Sequence, residues 1–152
     1  MRSNFGNIAV VSAPIDGTDF GGPNPIPASQ LPFMFSWLSS FGLKAADAPV
    51  TGEYELGFAS NPGTLTGFHA KVTVPGSAAS VTVDLKKNGT SILAAPITLT
   101  SSTPAGTPLN ATIVTPTFAA GDRFTALLTM SSNTGMTGVS CRLNGVENSQ
   151  PL

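Results

Sequence analysis

The side chains able to do chemistry are few, and their spacing gives them little of it to do. His69 is the only histidine, Cys141 the only cysteine, and Glu53 and Glu55 the closest pair of carboxylates along the chain. Acid–base or nucleophilic catalysis needs groups whose protonation is tuned by a positioned partner. His69 lies on the polar face of an alternating segment, where a solvated surface residue is the ordinary outcome. Serines are abundant, but none sits in a nucleophile-elbow motif. Cys141 can form no intramolecular disulfide and no thiolate zinc site, and between Val139 and Leu143 it reads as a small core residue.

Glu53 and Glu55 would share one face of a strand, the geometry of a metal or carboxylate pair and equally of a solvated edge. Asp16, Asp19 and Asp47 are carboxylates of the kind calcium takes, without the ligand series of an EF-hand loop. Three glycines at 17, 21 and 22 are followed by no Lys-Ser/Thr of a phosphate loop. Asn88-Gly89-Thr90 and Asn110-Ala111-Thr112 match the glycosylation sequon, the first also being a turn signal. These residues predict no enzyme, no metal and no cofactor.

The elements that must position these groups are mostly strands. From Thr51 onward the apolar period is two. Phe68, Ala70, Val72 and Val74 alternate with His69, Lys71 and Thr73. Val81, Val83 and Leu85 alternate with Thr82, Asp84 and Lys86, and Phe124, Ala126, Leu128 and Met130 repeat the pattern. Each run reads as a half-buried antiparallel strand. Asn88-Gly89 is a type I′ hairpin signal, because both residues accept positive φ at low cost. The fold class expected is all-β, an antiparallel, jelly-roll-like β-sandwich over residues 51–152.

Residues 1–50 differ. They hold six prolines, and their only charges before Lys44 are Arg2, Asp16 and Asp19. Disordered tails are usually poor in apolar residues and rich in charge; this stretch is the reverse, with the sole tryptophan and the cluster Phe33, Met34, Phe35, Trp37 and Leu38. It reads as an extended N-terminal arm with one short helix over residues 29–42, capped by Ser29 and closed by Gly42. Phe33, Trp37 and Phe41 at i, i+4 and i+8 would form its apolar stripe. About three turns do not persist alone in water, so the stripe must plug the chain's own sheet or dock on a partner. The partner-binding residues expected are Phe33, Phe35, Trp37 and Phe41, with Ile8 and Val10 in a strand added to a neighbour.

Charged residues make up 10% of the 152, with a net charge of −1, against about 25% in ordinary soluble domains. That excludes nucleic-acid binding through clustered cations. No apolar run reaches the ~18–20 residues of a membrane helix, and no signal-peptide core precedes Pro14 and Asp16. Weak mutual repulsion suits a protein that works within an assembly.

Two motifs carry a resemblance. Lys87-Asn88-Gly89-Thr90-Ser91-Ile92-Leu93, preceded by the strand-like segments 63–72 and 81–86, and Ala120-Gly121-Asp122-Arg123 resemble β-sandwich domains of tailed-phage virion proteins. The resemblance covers residues 52–145. It implies a phage structural protein without catalytic residues, most similar to a capsid decoration (cement) protein. Such a protein is made in the host cytoplasm and carried on the capsid surface as a homotrimer bound to the major capsid protein. The alternative it implies is a head- or tail-fibre appendage module for host attachment, with a glycan site near Tyr54 or residues 100–107.

Overall fold

Among the residues described by the computed structural model, 32–41 and 47–148, every regular element is a strand. Alternation decides the faces. In β4 (Ser80–Lys87), Val81, Val83 and Leu85 are fully buried while Thr82, Asp84 and Lys86 look outward. The same division runs along β9 (Arg123–Ser132) and β10 (Ser140–Glu147). The other strands are β1 (Phe33–Ser40), β2 (Gly52–Phe58), β3 (Gly63–Lys71), β5 (Thr90–Ser91), β6 (Ile97–Thr100), β7 (Leu109–Ala111) and β8 (Thr117–Phe118).

All pairings are antiparallel. One sheet runs β1-β10-β3, with β7 and β8 along the far edge of β3. The other runs β2-β9-β4, with β5 and β6 along β4. With β5/β6 and β7/β8 each taken as one interrupted strand, successive strands cross between sheets except at the Asn88-Gly89 hairpin and within the interrupted pairs. That is the connectivity of a jelly roll, which leaves two curved sheets packed around one core.

The hairpin has the expected geometry, with φ of 51° at Asn88 and 82° at Gly89, both positive as a type I′ turn requires. Its role extends beyond the turn. Asn88 Nδ2 donates to Asp122 Oδ1 at 2.7 Å, and Asn88 Oδ1 accepts from the Arg123 backbone N–H at 2.9 Å. Asp122 Oδ2 accepts from the Ala119 N–H at 2.9 Å. The two motifs that carry the phage resemblance are therefore bonded to each other.

These donors hold the Asp122 carboxyl below its ordinary value of 3.8, the Ala119 N–H foremost and Asn88 next. Above the unfolded value the ionised carboxylate stabilises the fold. The contribution is lost as pH falls through the lower folded value. Replacing Asp122 by alanine is expected to cost about 1–2 kcal/mol at neutral pH, and the variant should lose less stability on acidification than the parent. Urea unfolding at neutral and acid pH checks both.

The helix expected over residues 29–42 is corrected. Phe33–Ser40 is β1, paired along its whole length with β10 from Phe33↔Glu147 to Ser40↔Ser140. A spacing of four is one helical turn and also two strand repeats. Phe35, two residues from both Phe33 and Trp37, makes the full pattern an alternation. Pro32 at the strand entry costs no ladder bond. The first sheet thus draws on residues on both sides of position 50.

Candidate partner edge and surface groove

In β1 the two faces do different things. Phe35 and Trp37 turn inward and stack, with ring centroids 4.3 Å apart. Phe35 meets Phe118 edge-on at 6.0 Å, Trp37 approaches Phe124 at 5.8 Å, and Phe118 and Phe124 close the group at 5.6 Å. Phe41, just past the strand, is 1% exposed and lies edge-on to Tyr54 at 5.0 Å. Three of the residues expected to meet a partner, Phe35, Trp37 and Phe41, therefore pack in the chain's own core. Ile8 and Val10 lie outside the described residues.

The opposite face of β1 is open and alternates apolar groups with Ser36 and Ser40. Met34 is 78% exposed and Leu38 62%, and Phe33, at the strand's start, is 66% exposed. β1 is also the end of its sheet, with no strand on its second side among the described residues. An edge of this kind offers free backbone donors and acceptors beside apolar side chains. The periodicity pointed to this segment but not to Met34 and Leu38 as its exposed members, because the helical reading set both beside the buried stripe.

The chemistry-bearing residues are placed as follows. Cys141 is 2% exposed, and burial pushes its thiol up to about 12, so it is an unreactive core residue. Glu53 and Glu55 do share the outer face of β2. Glu53 pairs with Lys86 at 3.3 Å and accepts from Thr125 Oγ1 at 2.6 Å; Glu55 pairs with Arg123 at 2.8 Å. The Thr125 hydroxyl first, then Lys86, lowers the Glu53 carboxyl below its ordinary value. Glu147, which no pattern singled out, is 7% exposed at the end of β10 and accepts from the Ser60 N–H at 2.8 Å. It ties the β2–β3 loop to the first sheet. Among the described residues, no group of three or more His, Cys, Asp or Glu side chains is placed to hold a metal ion.

Tyr54 is not the exposed platform expected of a glycan site. Its ring is half-buried against Phe41 and its hydroxyl donates to the Val50 carbonyl at 2.6 Å.

His69 is more constrained than a solvated surface residue. It stands in a hydrogen-bonded row across β1, β10, β3 and β7 of the first sheet. Ser36 Oγ donates to Asn144 Oδ1 at 2.8 Å, Asn144 Nδ2 donates to His69 Nε2 at 3.3 Å, and His69 Nδ1 bonds Asn110 Oδ1. With the Asn144 amide so oriented, Nε2 is the acceptor and Nδ1 the donor. The row borders a groove of about 650 Å³ on the outer face of the sheet, flanked by Lys71 and Arg142.

No family model matches the chain, and no curated protein matches it significantly. Two solved structures are similar in part. A chain of the T13 viral particle of IBDV is 14% identical, with a TM-score of 0.35, over 90% of this chain and 36% of the viral one. The present chain thus spans about a third of that protein. The C-terminal domain of EclA, a sugar-binding protein, is 16% identical with a TM-score of 0.35, over 87% of this chain and 86% of that domain.

Proposed function

We propose that the chain is a viral structural protein, a capsid decoration protein of the tailed-phage kind, without enzymatic activity. It stabilises the head by bridging capsomers. The observation that carries the reading is the open edge of β1, where Phe33, Met34 and Leu38 stand exposed directly after the weakly charged residues 1–31. The Asn88–Asp122 contact in the other sheet supports it, since it gives both motifs of the phage resemblance one structural purpose. The partner is the major capsid protein, and the copies group as trimers on the capsid surface, by analogy with proteins of that kind.

The mechanism is mechanical. Apolar side chains buried across a capsomer joint contribute about 1.5–3 kcal/mol each when fully covered, less the cost of association. Many copies multiply that resistance to opening. The full chain with Phe33, Met34 and Leu38 all replaced by serine is expected to keep its melting temperature and to lose co-sedimentation with purified capsids. Undiminished binding by that variant would sink the reading.

The second reading is a host-attachment module on a fibre or appendage. The groove beside His69 favours it, being a built polar surface that shares only Leu38 with the proposed docking edge.

A further inference from the structure

We infer that the outer groove of the first sheet binds an acidic saccharide, a sugar bearing an anionic substituent. The assignment deepens the host-attachment reading, and the groove meets the proposed docking edge at Leu38. It begins with charge. Five of the chain's lysines and arginines lie among the described residues, and Lys86, Lys87 and Arg123 are each taken up in an ion pair. The two that remain, Lys71 and Arg142, both line this groove, and among the described residues no acidic side chain lines it. Two cations with no counter-charge, set on adjoining strands β3 and β10, form a ready site for an anion.

The polar lining supplies the rest. The row Ser36, Asn144, His69, Asn110 fixes each side chain through the next, so the groove wall is preorganised before any ligand arrives. Asn110 accepts from His69 through Oδ1, which leaves its Nδ2 as a donor. Ser140 adds a hydroxyl that donates or accepts, and Thr73 Oγ1, which donates to the Gly138 carbonyl at 3.3 Å, adds an acceptor. This donor-rich set suits an anionic group surrounded by ring hydroxyls. The groove volume lies within the range of about 300–1,000 Å³ usual for small-molecule sites.

Among the described residues no aromatic side chain lines the groove, and this sets the class of sugar. A neutral sugar would find no ring face to stack on, so affinity must come through the charge. Two isolated cations without stacking aromatics are too few for a nucleic-acid strand.

The test uses the full chain and four oligosaccharide probes, bearing a uronate, a sialate, a sulfate or a phosphate, each paired with its neutral parent. Calorimetry and NMR shifts of the His69 ring are the readouts. At least one acidic probe should bind at millimolar concentration or better while its neutral parent does not. Arg142→Gln and Lys71→Gln should each weaken that binding by about tenfold or more, the loss of a charge-assisted hydrogen bond. Both side chains are exposed and outside the ion pairs, so melting temperature should not change, and Lys71→Gln, on a strand not paired to β1, should also leave capsid co-sedimentation unchanged. Failure of all four probes overturns the inference. So does equal binding of neutral parents, indifference to both substitutions, or inorganic phosphate alone matching the best probe. None of these results decides capsid docking, which is read from co-sedimentation of the serine variant; because Leu38 also lines the groove, the probes are tested on chains that keep it.

Discussion

Replacing Trp37 by alanine should lower the unfolding free energy by about 3 kcal/mol, the lower end of the range for losing a large aromatic from a core. For a chain of this size that is a fall of roughly 6–12 °C in melting temperature, read by circular dichroism because the variant has no tryptophan to report. The size follows from position. Trp37 stacks on Phe35 and reaches Phe124, which is fully buried, so truncation opens space between the sheets. Gly57 lies under the indole, where even one added carbon would sit 3.1 Å from the ring. Backbone on that side is fitted to the tryptophan and cannot readily collapse into its space. An unchanged melting temperature would mean that Trp37 is not part of the core, and would return it to the candidates for partner contact.

The second large effect is expected at Gly145. This glycine is the direct cross-strand partner of Phe35, whose ring lies over its Cα so closely that a methyl group would collide with it. The ring covers backbone that a side chain would otherwise shield, the arrangement in which an aromatic compensates for a glycine in a sheet. Gly145→Ala should destabilise by about 1–3 kcal/mol through overpacking, by prising β1 from β10. Coupling tests the cause. In the Phe35→Leu background the alanine should cost at least about 1 kcal/mol less. Additive losses would show that the ring is not what the added methyl strikes.

Much of the sandwich was legible because one face of most strands is buried. Val81, Val83 and Leu85, or Phe124, Ala126 and Leu128, have no second reading at period two. The turn at Asn88-Gly89 was equally plain, since few residue pairs accept two positive φ angles. The failure at β1 has a definite cause. Phe33, Trp37 and Phe41 fit both periods, and the intervening Phe35 was given too little weight. The cover over Tyr54 is not legible in the sequence, because the ring that supplies it, Phe41, comes from a segment before residue 51, where the sandwich is expected to begin.

The polar row was out of reach for a different reason. His69, Asn110, Asn144 and Ser36 each look like an ordinary outward-facing residue. Their alignment depends on the registers of three strand pairings, helped by the irregularity where Asn144 faces Gly67 and Gly145 faces Leu65. That step keeps both Leu65 and Phe68 facing inward. Glu147 was missed because a single acid at a strand end carries no pattern.

The pairing of β1 with β10 also bears on the order in which the protein is made. Ser36 and Asn144, joined by a hydrogen bond, are 108 residues apart. At ordinary synthesis rates, β1 waits roughly 5–20 s after leaving the ribosome before its partner strand exists. Such distant pairing is slow to form, because loop closure must precede the contacts that reward it. Through that interval Phe35 and Trp37 have no sheet to enter, and Met34 and Leu38 have no fixed geometry. The proposed docking edge is therefore a property of the finished molecule alone, and a nascent or truncated chain lacking β10 has none to present to a capsid.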